Sequence, residues 1–507
     1  MSGNITGKVK RGVIYNAGAR LIGVWTQVAG TVVLARLLLP EDFGLVALGM
    51  LIIGFATKFG EFGFSAGLIQ RKEKVTEKHI NTLFFLDLSF KLLLWIIFYL
   101  ATPALARIFH DPRLIAVIPV ISLYMVLECL STTPLTVLKR KMDFKSYSLI
   151  VTAEDFVILI SSILLAWFGY GYWSLIFAKL IGVSGAALLA AKLAHWRPKP
   201  LYDHTACKEL FGFGLMVFLR DLLRYATEHV DYLFVSMYLG TRQLGLYEKA
   251  FEIMKMPQKR LTRALNTVVF SAFSRIQDEP ERVRMAFRKL VLTISVVSYP
   301  VLSGLAFIAP LLIPLALGDN WRPVVVPVQI MCAAGILRSI DPFLNSVLTA
   351  TGFVKMTVFR RAFEALMMTL ATFIGVRYGI NGVAVSVVIV SFITMVFMMN
   401  LLKKVSNIGW KDYFHPQIPA IVTSTGMLIT MYTCSSIVDV YIDTTEVIML
   451  ICQFTIGFLS YIGLHLLFRF QGTMSLIEEI TGDFKKLRTR VKGKITNSGR
   501  KIPVARV

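Results

Sequence analysis

The sequence predicts an all-α polytopic membrane protein of about fourteen transmembrane helices, arranged as two six-helix lobes around a central cavity with two extra C-terminal helices. Three observations carry this prediction. Hydrophobic residues make up 55% of the 507-residue chain and charged residues 17%, whereas soluble domains carry about 25% charged residues. Apolar runs of the length that a bilayer requires, roughly 20 residues, recur from end to end. Lys and Arg crowd into every second connector, the asymmetry of cytoplasmic loops.

The predicted spans are 13–35, 43–66, 83–105, 114–137, 149–168, 172–194, 211–238, 250–274, 290–316, 323–348, 357–376, 379–401, 416–437 and 446–468. Those at 83–105, 290–316 and 379–401 are the clearest, while 13–35, 211–238 and 250–274 hold several polar residues. The opening Lys8-Val9-Lys10-Arg11 before an apolar run resembles the basic end of a signal peptide. Arg20 interrupts that run and no small-residue cleavage site follows, so it reads as a retained first helix.

The connectors test the span count independently. One side holds only Arg36, Arg107, Arg113, Arg242, Lys249, Arg322 and Arg377. The N-terminus, the alternate connectors and the tail from Arg469 hold most of the other basic residues. Such an alternation places both termini in the cytoplasm and requires an even number of spans. It also accounts for the formal charge of +23 without a nucleic-acid partner. Cys129, Cys207, Cys332, Cys434 and Cys452 are widely spaced and form no Cys-x-x-Cys pair, so neither a disulfide framework nor a zinc site is expected.

The chain repeats itself weakly but in order. Leu39-Pro40-Glu41-Asp42-Phe43-Gly44-Leu45 has a partner in Leu239-Gly240-Thr241-Arg242-Gln243-Leu244-Gly245-Leu246, with Gly44 opposite Gly245 and, at the same offset, Lys58 opposite Lys259. Phe168-Gly169-Tyr170-Gly171 pairs with Tyr378-Gly379-Ile380-Asn381, and Thr133-Pro134 with Asp341-Pro342. Six spans return the chain to its starting side, so the lobes are expected to be parallel repeats. The expected organisation is an N-terminal lobe at 1–200, a C-terminal lobe at 201–410, helices 13 and 14 within 411–470, and a basic tail at 471–507. In the tail, Leu476, Ile477, Ile480, Phe484, Leu487 and Val491 recur at helical spacing beside Lys485, Lys486, Arg488 and Arg490. That pattern suits an amphipathic helix on anionic lipid, with a basic disordered tail as the alternative.

Ionisable side chains at membrane depth cost roughly 2.5 kcal/mol or more each, so they should face water or one another. The seventh and eighth spans hold most of them. Arg220, Arg224, Thr227 and Asp231 fall on one narrow helical stripe, flanked by Asp221 and Glu228. Glu252, Lys255, Lys259 and Arg263 form a second stripe, flanked by Arg260. Arg20, Lys58 with Glu61, and Arg338 with Asp341 complete the set. Cations outnumber acids in it, which suits an anionic cargo, and Arg presents a rigid fork of donors to phosphate or diphosphate. Intramembrane salt bridges and snorkelling ends are the structural alternative, strongest for Arg263, Arg338 and Asp341. Asp87 and Lys91 suit a local ion pair. Glu128, Glu154, Asp155, Lys179 and Glu364 read as isolated, and His229 as a packed polar residue. No phosphate-binding Gly-rich loop, His-rich metal spacing or Gly-x-Ser-x-Gly elbow occurs, and the connectors are too short for a catalytic domain, so no enzyme and no cofactor is expected.

These features carry a family resemblance. Gly12-Val13-Ile14-Tyr15-Asn16, Leu34-Ala35-Arg36-Leu37-Leu38-Leu39-Pro40-Glu41-Asp42-Phe43-Gly44 and Phe59-Gly60-Glu61-Phe62-Gly63-Phe64 lead it. Gly240-Thr241-Arg242-Gln243-Leu244-Gly245-Leu246-Tyr247, Pro257 and Phe270-Ser271-Ala272-Phe273-Ser274-Arg275 extend it. The chain resembles bacterial lipid-linked oligosaccharide flippases of the polysaccharide biosynthesis (Wzx-like) group, of the colanic-acid-exporter type, in the multidrug/oligosaccharidyl-lipid/polysaccharide exporter superfamily. The resemblance implies a V-shaped cavity between two lobes, alternating access, and an undecaprenyl-diphosphate-linked oligosaccharide as cargo, turned from the cytoplasmic to the periplasmic leaflet of the inner membrane. It implies cavity roles for Arg20, Lys58 and Lys259 by position, and shelter of the lipid tail by the last two spans. Membrane lipids, a polysaccharide polymerase and other assembly proteins are the implied partners; counter-ion coupling to a sodium ion or proton gradient and the membrane potential are the alternative drives of the cycle. A cation-coupled drug exporter of the same superfamily and a non-transporting scaffold are the rival readings.

Overall fold

The computed structural model describes residues 29–61, 76–201, 204–350, 353–441, 445–468 and 470, and every regular element among them is helical. A helical stretch at 29–37, α1, is followed by α2 (Pro40–Glu61), α3 (Glu77–Ile108), α4 (Leu114–Arg140), α5 (Phe144–Trp167) and α6 (Tyr172–Ala194). Next come α7 (His204–Arg275), α8 (Pro280–Leu317), a 3₁₀ turn at Asp319–Val324, α9 (Val325–Arg338) and α10 (Asp341–Ala350). The chain continues through α11 (Val354–Gly375), α12 (Gly379–Ser406), α13 (Trp410–Phe414), α14 (Ile418–Tyr441) and α15 (Glu446–Phe468).

Among the described residues, 10 helical stretches are long and apolar enough to cross a bilayer, which makes the chain a multi-pass membrane protein. Their outward faces are apolar. On α3, Leu92, Leu93, Ile96, Ile97 and Leu100 are exposed, and on α15 Ile451, Phe454, Phe458 and Leu459 are. Trp167, Phe168, Tyr170 and Tyr378 stand exposed where α5 meets α6 and α11 meets α12, as in an interfacial aromatic belt.

Three expected spans take a different form. The seventh and eighth are joined as one run, with no connector at 239–249, because Gly240 (φ 82°, ψ 175°) turns the chain within one residue and Thr241 starts the next helix at once. The expected tenth span breaks between Arg338 and Asp341. Pro342 lacks the N–H that would bond Arg338 and crowds that carbonyl, so the helix restarts at Asp341. Its repeat partner Pro134 is carried inside α4. The expected tail helix at 471–507 lies outside the described residues.

The chain divides into two compact units. The first comprises the described residues of Met1–Ile253 with Leu312–Met331 and Val358–Val390. In it, Leu138, Ile150, Ala186, Ala190 and Ala194 form a small core, and the small residues of α6 let α5 approach closely, with Gly182 against Ile158. The Trp95 indole N–H donates to the Pro119 carbonyl at 3.0 Å and ties α3 to α4. The second unit comprises Met254–Leu311, Cys332–Thr357 and the described residues of Ser391–Val507. Phe273, Phe287, Phe343, Leu344, Met398 and Met399 lie in its buried core. The Asp412 carboxylate, fully buried, accepts from Arg284 at 2.9 Å and Arg288 at 2.5 Å and fixes α13 to the start of α8. The Tyr461 hydroxyl donates to the Val296 carbonyl at 2.6 Å, so α15 leans on α8.

Candidate functional site

The charged stripe of α7 changes environment along its length. Asp231 is 1% exposed: the Tyr247 hydroxyl donates to its Oδ2 at 2.6 Å and the Tyr232 amide to its Oδ1 at 3.0 Å. Two turns earlier, Arg224 is exposed, as is Glu228, and Asp221 is half-buried. The same face is therefore packed near Gly240 and open further along the helix. Tyr225 is half-buried and its hydroxyl donates to the Leu51 carbonyl at 2.9 Å, while its ring lies 4.3 Å from that of His229. The Tyr225 hydroxyl thus ties α7 to α2, while the His229 ring packs between Tyr225 and, edge-on at 5.4 Å, Tyr232 of its own helix.

On the second stripe, Glu252 accepts from Lys249 at 2.8 Å, and Lys255 is half-buried. Arg338 and Asp341, both half-buried, flank the break between α9 and α10. Arg20 lies outside the described residues, as do the side chains of Lys58, Glu61, Arg220, Lys259, Arg260 and Arg263, whose backbones are helical.

Several acids that look isolated in sequence have basic neighbours. Lys91, 1% exposed, lies 3.2 Å from Asp87 and also 3.8 Å from Glu128 on α4. Lys179 of α6 is within electrostatic range of Glu154 and Glu248. Glu364 lies 3.3 Å from Arg360, one turn earlier on α11. The Asp87–Lys91 and Arg360–Glu364 pairs have i,i+4 spacing and are legible in sequence; the approach of Glu128 to Lys91 and of Glu154 and Glu248 to Lys179 joins different helices and leaves no sequence signal.

A second polar cluster sits where the basic-poor connectors meet. The Arg113 guanidinium donates to Asp111 at 2.8 and 3.0 Å and to the Thr241 hydroxyl at 3.0 Å, and that hydroxyl donates to Asp111 at 3.1 Å. Burial pushes the Asp111 carboxyl up, but the Arg113 side chain and amide and the Thr241 hydroxyl outweigh it and hold it below the ordinary 3.8. A cleft of about 640 Å³ opens beside this cluster, lined by Phe109, His110, Arg113, Met237, Tyr238 and Gly240 among others. Among the described residues no group of His, Cys, Asp and Glu could hold a metal ion.

A chain of bilayer-length apolar helices, with charged side chains gathered along α7, defines an all-helical multi-pass membrane protein. The chain belongs to the polysaccharide biosynthesis protein family, whose pattern matches residues 33–326. It is 23% identical over 435 residues to the lipopolysaccharide biosynthesis protein WzxC of Escherichia coli strain K12, covering 84% of this chain and 88% of that one. Its fold is shared with the lipid II flippase MurJ in an inward closed conformation, at a TM-score of 0.72 and 18% identity, over 90% of this chain and 98% of that one. It is also shared with an inward-facing multidrug resistance MATE family transporter of the MOP superfamily, at a TM-score of 0.63 and 14% identity, over 78% and 98% of the two chains.

Proposed function

We propose that this protein flips undecaprenyl-diphosphate-linked oligosaccharide repeat units from the cytoplasmic to the periplasmic leaflet by alternating access. The observation that carries the reading is the concentration of Arg and Lys on the two segments of α7, in a chain of the polysaccharide biosynthesis family. Fixed positive charge in a wet space attracts a diphosphate, and bidentate Arg contacts fit its oxygens. Arg20, Lys58, Arg220, Arg224, Lys255, Lys259, Arg263 and Arg338 are the proposed headgroup ligands. Glu61, Asp221, Glu228, Asp231, Glu252 and Asp341 are the proposed counter-charges, through which a sodium or proton gradient drives the cycle.

In this reading fourteen helices form two six-helix lobes and an extra pair, both termini are cytoplasmic, and the lobes rock about the bound headgroup. The prenyl tail stays in lipid beside the last two helices. A polymerase on the far side consumes the product. The surplus of cations on α7 disfavours the drug-exporter reading, since cationic drugs need acidic partners.

Reconstitution with a fluorescent undecaprenyl-diphosphate oligosaccharide tests the proposal. Arg220→Ala, Arg224→Ala and Lys259→Ala should each slow leaflet exchange by about tenfold or more, the loss expected when a charged hydrogen-bond partner of a phosphate is removed. Exchange at the wild-type rate in all three variants would contradict it.

A further inference from the structure

The residues that carry the internal repeat touch each other. A methyl group built on Gly44 would overlap the Thr241 carbonyl oxygen and lie 2.8 Å from the Gly245 amide nitrogen. One built on Gly245 would overlap the Pro40 carbonyl oxygen and lie 2.9 Å from the Gly44 amide nitrogen. The relation is reciprocal. The offset that aligns Gly44 with Gly245 also aligns Pro40 with Thr241. The first turn of α2 and the first turn after Gly240 therefore meet as a pseudo-two-fold pair, backbone against backbone. Both obstacles are main-chain atoms, which cannot rotate away as a side chain could. Only hydrogen at these two Cα positions permits the contact.

The surrounding contacts all join the same ends of the two repeats. The Phe43 ring packs edge-on against Trp321 at 5.3 Å, and the Lys249 ammonium sits 4.4 Å from the Phe43 ring centre. The Trp321 indole N–H donates to the Ala35 carbonyl at 2.8 Å. In return, the Arg36 guanidinium donates to the Ala316 carbonyl at 3.1 Å and to the Leu315 carbonyl. The ends of α1 and α8 thus have carbonyls capped by a side chain from the other repeat, which satisfies acceptors that a helix end leaves open. The Asp111–Arg113–Thr241 network adds a third bridge.

We infer that this assembly is the closed gate on the basic-poor side, with Gly44 and Gly245 as its seal, and that it parts when the cargo leaves on that side. The inference rests on the alternating-access reading but has its own readout. Each contact between the two repeats has a backbone carbonyl, the Thr241 hydroxyl or a ring face as one of its partners, and water can take that partner's place once the helices separate. The closed state is therefore sealed by fit rather than by a deep ion pair, and a single added methyl should unseat it.

Spin labels at Leu39→Cys and Arg242→Cys, with the five native cysteines replaced by alanine, report the gate by pulsed double resonance in cargo-free nanodiscs. The parent protein should show a short-distance population. Gly44→Ala and Gly245→Ala should each reduce that population by roughly tenfold, since overpacked backbone contacts typically shift such equilibria by that order. Gly185→Ala, whose added methyl meets nothing within 4 Å, should leave it unchanged. If the glycine variants do not give monodisperse protein, Arg36→Gln decides instead, with a smaller shift in the same direction. A parent-like distance distribution in the glycine variants, or in Arg36→Gln where it decides, overturns the gate. That outcome leaves the flipping proposal standing, whereas a parent protein that shows the short population but moves no lipid diphosphate overturns the proposed function and leaves the gate.

Discussion

Lys91 lies between Asp87 at 3.2 Å and Glu128 at 3.8 Å, in a first unit whose outer faces are apolar. Removing the ammonium deletes the cation that lies within reach of both carboxylates. Lys91→Met should therefore cost about 3 kcal/mol or more, the order seen when a buried pair loses one partner, read as a fall in the thermal unfolding midpoint in detergent. Asp111 makes a pH-dependent contribution of the opposite kind. Its carboxyl is held below the ordinary 3.8 in the folded chain, so its stabilisation is fully present above that value and is lost as pH falls through the lower folded value. The unfolding midpoint should fall as pH drops below about 4, and Asp111→Asn should flatten part of that fall. An identical pH profile in the variant would contradict the assignment. At this scale the sequence shows which side chains are charged but not which helices bring them together. Asp87 and Lys91 were readable because they share a helix face, whereas Glu128 joins them only through the packing of α3 on α4.

Helix positions were legible because apolar length and turn residues are local properties. The expected 172–194 span matches α6 (Tyr172–Ala194), whose entry is set by Gly169 (φ 82°) and Gly171 (φ 53°). The equivalent Gly379 (φ 70°) makes the α11–α12 turn, as the paired Gly169 and Gly379 motifs imply. An L-residue in that region costs about 1–2 kcal/mol, so Gly169→Ala should lower the unfolding midpoint while Gly185→Ala leaves it nearly unchanged. Breaks inside apolar runs were less legible. Hydropathy cannot tell a one-residue turn at Gly240 from a connector, nor the broken path at Arg338–Asp341 from a continuous helix, because lipid-compatible composition is the same in both. The charged stripes were visible as spacing. That Asp231 is packed under Tyr247 while Arg224 on the same face stays exposed depends on where a second helix ends, which is a tertiary fact.

For the whole molecule, charge asymmetry and apolar content led to a membrane bundle, the motifs around Arg36–Gly44 and Gly240–Tyr247 to a family resemblance, and the internal repeats have a structural counterpart in the Gly44–Gly245 contact. A weak sequence echo matters here because it preserves backbone contacts, which need small residues at two positions and little else. The central claim is that the positive charge on α7 selects a diphosphate headgroup. Native mass spectrometry of the purified protein, with undecaprenyl diphosphate, undecaprenyl monophosphate and a cationic dye in competition, tests that claim most directly. The account predicts that the diphosphate binds in preference to the other two and that Arg220→Ala combined with Arg224→Ala removes the preference. Equal retention of all three ligands, or a diphosphate preference that survives the double substitution, would contradict it.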